Sequence, residues 1–238
     1  MVKRTVPPVL LLLIALAAWS GARAEAPAQV LEALAGFSTD APPGWAYTLT
    51  TRRGGESSSE RFDPAAADGR QWQLLQHNGR PASEEEKDRY SRYRVTTNST
   101  ATRATFRRGD IDLSTLQPAG SIAGEEEYLC GFRADAPDPL LAHLQLRFRV
   151  ASHPSRITRY QLHLLKPYSP IFSLQVLRLE VEVTLSPPGP DRPALPASAR
   201  SFFQGRVLLL KSVVEETEAS YSEFEKRVPA APPERGGT

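Results

Sequence analysis

The groups that could do chemistry are few. Cys130 is the only cysteine and there are four histidines, His77, His143, His153 and His163. Cys130 falls on the apolar side of an alternating stretch, between Tyr128 and Phe132, where a free thiol is expected to pack rather than react. A single cysteine also excludes an intrachain disulfide. If the turn Ala151 to Ser155 centres on His153, His143 and His163 face each other across two strands, with Cβ atoms about 5 Å apart. Two imidazoles fall short of the three or four ligands a metal needs, and Arg147 and Arg159 share that face. A solvated polar face without a metal is expected. His77, beside Asn78-Gly79, and His153, before Pro154, read as turn residues. Glu84-Glu85-Glu86 fits the opening turn of a helix, where the dipole favours negative charge. Glu125-Glu126-Glu127 precedes a strand and reads as a solvated edge. There is no Gly-x-Ser-x-Gly, no His-Glu-x-x-His and no Gly-rich phosphate loop. No enzyme and no cofactor are expected.

The start of the chain gives an address. Lys3 and Arg4 precede an apolar stretch, Val9 to Trp19, too short to span a bilayer comfortably, and Ala22-Arg23-Ala24 has the small-x-small form of a cleavage site. Residues 1–24 therefore read as a signal peptide cleaved after Ala24, with no stable membrane span in the mature protein. The formal charge of +2 drops to −1 once Lys3, Arg4 and Arg23 are removed, so nothing attracts nucleic acid. The Ala, Arg and Pro bias suggests a GC-rich bacterial genome, which makes the periplasm the expected compartment. Residues 25–228 are expected to form one domain, and 229–238, rich in Pro and Gly, a disordered tail.

The elements follow from periodicity. Leu144, Leu146, Phe148 and Val150 alternate with Gln145, Arg147 and Arg149, as on a strand with one dry face. Tyr160, Leu162 and Leu164 repeat the pattern, as do Phe172, Leu174 and Val176. The parity then flips to Leu177, Leu179, Val181, Val183 and Leu185, which predicts a β-bulge near Val176-Leu177. A turn centred on His153 places Leu146 opposite Tyr160 and Leu144 opposite Leu162. Val30, Leu31, Leu34 and Phe37 have helical spacing, ending near Gly36. Trp45, Tyr47 and Leu49 start a strand; Gly54-Gly55 with Ser57 to Ser59 reads as a hairpin loop, and Glu60 to Phe62 as the return. Gln71 to Gln76 is a further strand. Ser83 and Glu86 form a capping box for a helix over Glu84 to Arg94, so charged that it reads as a surface flap held by Tyr90 and Tyr93. Val95 to Arg108 has no clear pattern. Ile111, Leu113 and Leu116 suggest a short helix or turn, and Glu127 to Arg133 a strand. Ser186 to Pro196 reads as an exposed loop. Ser201 to Tyr221 reads as one last long strand region, partly covered on both faces at Val207 to Leu210.

The fold class expected is mainly β: a strongly curved antiparallel sheet forming a half-open barrel, with short helices in or over its mouth. The layout resembles the outer-membrane lipoprotein carrier and sorting (LolA-like) superfamily, and more specifically uncharacterised exported proteobacterial proteins. The residues that carry the resemblance are Phe62-Asp63-Pro64, Gln71-Trp72-Gln73-Leu74-Leu75 leading to Asn78-Gly79-Arg80-Pro81, Tyr168-Ser169-Pro170, Leu195-Pro196, Gly205-Arg206, Lys211 and Tyr221-Ser222. It implies a fold and a compartment, and no residue of a characterised carrier's cargo site can be placed on the chain.

The candidate ligand-binding residues are those of the apolar face: Leu34, Phe37, Trp72, Leu74, Leu144, Leu146, Phe148, Tyr160, Leu162, Phe172 and Leu174. They outnumber what one short helix can cover. Either the sheet curls on itself and closes an ordinary core, or the face lines a cavity for an acyl chain or other apolar ligand. The second alternative implies a binding or carrier-like protein with a lipid or acylated ligand. The first implies an envelope structural or interaction protein with a protein partner.

Overall fold

The computed structural model describes residues 25–39, 44–66, 70–97 (backbone only from 93), 105–208 and 211–227. The signal peptide expected over 1–24, the tail over 229–238, the side chain of Tyr93, and Leu209 and Leu210 lie outside the described residues. The strands are β1 (Trp45–Arg53), β2 (Glu56–Phe62), β3 (Trp72–His77), β4 (Arg80–Pro81), β5 (Ile111–Ile122), β6 (Glu125–Phe132), β7 (Leu144–Ser152), β8 (Ser155–Leu164), β9 (Tyr168–Ile171), β10 (Leu174–Leu185), β11 (Pro196–Val207) and β12 (Lys211–Lys226). They form one antiparallel sheet in the order β4-β3-β2-β1-β12-β11-β10-β8-β7-β6-β5, with β9 beside β10. The sheet is open and curved, a half-open barrel with two short helices, α1 (Ala28–Ala35) and α2 (Glu84–Thr97).

The alternating runs form strands as their period requires. In β7 and β8, Leu144 pairs with Leu164, Leu146 with Leu162 and Phe148 with Tyr160. That is two residues away from the register expected with a turn centred on His153. The turn is the two-residue His153-Pro154, and an extra residue, Thr158, bulges from β8 between the pairs of Arg149 and Val150. The predicted bulge is present in β10, where the register with β11 shifts between Val176 and Arg178 and leaves Leu177 unpaired. One residue out of register carries every later side chain to the other face, hence the parity flip.

Three elements differ from expectation. Ile111, Leu113 and Leu116 belong to the edge strand β5, whose pairing with β6 is interrupted between Asp112 and Gln117. That interruption breaks the period-two pattern. Ser201 to Tyr221 is a hairpin rather than one strand region, since β11 ends at Val207 and β12 starts at Lys211. Val207 and Leu208 are exposed rather than covered. Ser57 to Ser59 lie within β2, and the hairpin loop is Gly54-Gly55 alone, both with positive φ.

The core lies under α1. Gly36 ends this helix, whose Val30 and Leu34 are fully buried against β7 and β8. Leu144, Leu146, Phe148, Val150, Tyr160 and Leu162 form the sheet side of the cluster. Phe106 and Leu141 close its margins, and Leu195 is buried too, so one anchor holds the otherwise exposed proline loop. Each such side chain contributes about 1.5–3 kcal/mol through burial.

Candidate functional site

The predicted apolar residues divide into three places. Leu34, Phe37, Leu144, Leu146, Phe148, Tyr160 and Leu162 come together in the core under α1. The Phe37 ring meets Tyr160 edge-on at 5.5 Å and Phe106 at 5.7 Å, which seals the end of the helix against the sheet. Trp72 and Leu74 lie at the far end of the same sheet. Leu174 is half-buried at the start of β10, whereas Phe172 is 93% exposed in the turn between β9 and β10, off the sheet face.

The cross-strand register defines the inner face. One row runs Thr51, Ala219, Ala199, Val183, Tyr160, Phe148, Tyr128. The next runs Arg53, Thr217, Ser201, Val181, Leu162, Leu146, Cys130. Both rows are large and apolar under α1 and become small or polar on β11, β12 and β1. The small side chains form a shallow trough between α1, which packs on β7 and β8, and α2, which packs on β3. Half-buried Leu179 and Val181, packed against the margin of the core, and Phe203 bound it on one side, and Glu215, opposite Phe203, pairs with Arg53 across it. Gly205 gives the Phe203 ring room to lie along the strand, since a Cβ there would meet the ring at 2.7 Å and the Gln175 carbonyl at 2.9 Å.

At the far end of the trough five aromatic rings meet. Tyr47 is central, with Phe62 at 5.2 Å, Trp72 at 5.8 Å, Tyr221 at 5.7 Å and Phe224 at 5.9 Å between centroids. Tyr47 is buried and the other four are half-buried. Of these only Trp72 was among the sequence candidates. Tyr47 sits in a recognisable alternation with Trp45 and Leu49, but nothing local reveals that β12 lies beside it.

The helix over this half is held by polar contacts. The buried carboxylate of Glu60, on the inner face opposite Leu49 and Leu74, accepts hydrogen bonds from the Tyr90 hydroxyl at 2.6 Å and from Ser58 Oγ at 3.0 Å. Tyr90 thus holds the flap through its hydroxyl. The capping box is formed: Ser83 N–H donates to Glu86 at 2.8 Å and Glu86 N–H to Ser83 Oγ at 3.3 Å. Glu86 also accepts two bonds from Arg80, at 2.7 and 2.9 Å, and lies 2.8 Å from His77 Nδ1. The Arg80 guanidinium foremost, then His77 and Ser83, holds its carboxyl far below the usual carboxylate range.

Other chemistry-bearing residues are engaged structurally. Burial, reinforced by Asp112, pushes the Cys130 thiol up to about 12, so it is not a thiolate at neutral pH. His143 stacks on Tyr168 at 4.0 Å, and His163 faces Gln145 instead of His143. The acidic run is not a solvated edge: Glu125 accepts from Thr158, Glu126 from Gln29 and Tyr128, and buried Glu127 from Arg147 and Arg149. On the outer face a cleft of about 440 Å³ is lined by Thr50, Arg52, Arg159, Glu182, Thr184, Ser198, Arg200, Glu218 and Ser220, among others. A second, about 580 Å³, lies beside β5 among Arg108, Asp112, Arg133 and Asp135. Both are rich in polar groups, and none of the eleven predicted residues lines either of them. Among the described residues no group of three or more His, Cys, Asp or Glu is placed to hold a metal ion, and no helix is long and apolar enough to cross a membrane. Comparison with protein-family models, curated proteins and solved structures finds no match.

Proposed function

We propose that this chain is a non-catalytic binding or carrier-like protein of the periplasm, reached through a signal peptide cleaved after Ala24, and that it takes an acyl chain or comparable apolar ligand along the inner trough. The observation that carries this is the half-buried strip that runs from Leu179 and Val181, at the margin of the core, past Phe203 to the Tyr47 aromatic cluster, on the strands between the two helices. On this reading the ligand lies beside the closed core instead of inside it. The LolA-like resemblance points the same way. Each methylene removed from water contributes about 0.8 kcal/mol. On the order of ten are then needed to offset the cost of association, estimated at about 4–15 kcal/mol, which favours long chains over short ones.

The test is titration of the mature chain with a fluorescent long-chain fatty acid, with native mass spectrometry of protein purified from its host. Saturable uptake is expected, and Phe203→Ser should weaken it about tenfold, the loss of a half-buried aromatic contact, with little change in melting. Absence of uptake together with absence of co-purified lipid sinks the proposal. A second reading is a non-enzymatic envelope interaction protein, favoured by the seven predicted residues that pack shut under α1. A crosslinked protein partner with no bound lipid would select it.

A further inference from the structure

Two hairpin tips meet at one end of the sheet. The β9–β10 turn carries Ile171, 60% exposed, and Phe172, 93% exposed; the β11–β12 turn carries Leu208, 64% exposed. They are one unit: Leu208 N–H donates to the Ser173 carbonyl at 2.7 Å, and Leu174 pairs with both Ile171 and Val207. Leu208 has a φ of 51°. A branched side chain resists that left-handed conformation, where Gly or Asn sits more easily. Leucine there gains little burial to compensate, so its apolar surface serves nothing inside the fold.

The charges flanking the β11–β12 turn have one sign. Arg206, opposite Gln175, and Lys211, opposite Val207, lie on either side of it, and both are exposed. The nearest carboxylates along β12, Glu215 and Glu216, are farther down the sheet, opposite Phe203 and Phe202. Exposed aromatic and aliphatic side chains at a protruding tip, with long cations behind them, match the interfacial layer of a bilayer. There the rings enter the acyl boundary and the cations reach phosphate.

We propose that the paired tips, Ile171-Phe172 with Leu208, dock the protein on an anionic phospholipid surface, with Arg206 and Lys211 as the electrostatic collar. A protruding tip with its own cations suits a lipid headgroup layer better than a protein partner, which would need a matching apolar socket. The docking does not depend on whether the trough takes a ligand, because a soluble fatty acid reports on the trough and vesicles report on the tip.

The test is co-sedimentation of the mature chain with vesicles of phosphatidylcholine alone or mixed with phosphatidylglycerol. Binding is expected to the mixed vesicles and to weaken with added salt. Phe172→Ser combined with Leu208→Ser should reduce partitioning about tenfold or more. Arg206→Gln combined with Lys211→Gln should remove the preference for phosphatidylglycerol. Both pairs lie at exposed turn or strand-end positions, and unchanged melting would confirm that they fold. Phe172→Trp provides an independent reading: the emission of the new indole should shift to the blue on vesicles and be quenched by brominated acyl chains. The proposal is overturned if the wild type does not sediment with either vesicle, if the Ser variants sediment equally well, or if the emission of the Phe172→Trp variant does not respond. Capture of a specific protein through the tip, with no vesicle binding, overturns it in favour of a protein socket.

Discussion

The two helices lie on the same face of one sheet and are held there by opposite means. α1 buries Val30, Ala33 and Leu34 and becomes part of the core. α2 opens with Glu84-Glu85-Glu86-Lys87-Asp88-Arg89 and is held by Tyr90 on Glu60 and by Glu86 on Arg80 and His77. An apolar stripe gains from leaving water over its whole length. A polar latch exchanges one set of hydrogen bonds for another and gains little net. The α1 half should therefore open only on global unfolding, and α2 should open locally.

The largest effect that would break this comparison is expected at Leu146, which pairs with Leu162 and Cys130 under α1. Leu146→Asp places an unpaired carboxylate in a dry core, costing several kcal/mol against a total stability of about 5–15 kcal/mol. Loss of the cooperative melt by circular dichroism is expected; a wild-type melt would place Leu146 outside the core.

A smaller effect is expected at the latch. Tyr90→Phe removes one donor from buried Glu60 and should cost about 1–3 kcal/mol. Hydrogen exchange should show α2 amides opening faster while those of β7 and β8 are unchanged. Equal acceleration in both halves would erase the distinction.

The smallest effect is the pH dependence from Glu86. Its folded pKa lies below the ordinary value of 4.5. The stability it contributes is therefore fully present above that value and lost as pH falls below it. Melts of wild type and Glu86→Gln, followed from neutral pH to about pH 3, should converge toward the acid end. A constant difference would remove Glu86 from the latch.

What could be read from the sequence was local. The alternation of Leu144 to Val150 identified β7, and the parity flip after Val176 located a bulge, because period two leaves no other account of it. The β7–β8 register was missed because the turn is His153-Pro154 rather than centred on His153, and because Thr158 bulges without any turn residue to mark it. Strand β5 was missed because its break near Leu113 to Leu116 imitates helical spacing. The last hairpin was missed because Leu208 sits at positive φ inside an apolar run where Gly or Asn is the usual signal. The core half of the predicted site was legible because β6, β7, β8 and β10 are near neighbours in sequence. The aromatic end was not, since Tyr47 and Tyr221 meet only through the pairing of the first described strand with the last.

That pairing also governs the order of assembly. Thr48 and Glu223, hydrogen-bonded at the seam, are 175 residues apart in the chain. The hairpins from β5 to β10 can form from neighbouring sequence, but β1 has no partner on that side until Lys211–Lys226 exists. β1 comes early in the chain, and its β12 edge stays unpaired until the last described strand docks. Closing so long a loop is entropically slow. Until β12 pairs, the chain holds one half-sheet built from sequence-local pairings, β5 to β10, and a second group, β1 to β4, without a neighbour on its β1 side. β12 joins them, since it alone pairs with both β1 and β11, so its docking is the step that makes the two groups one sheet.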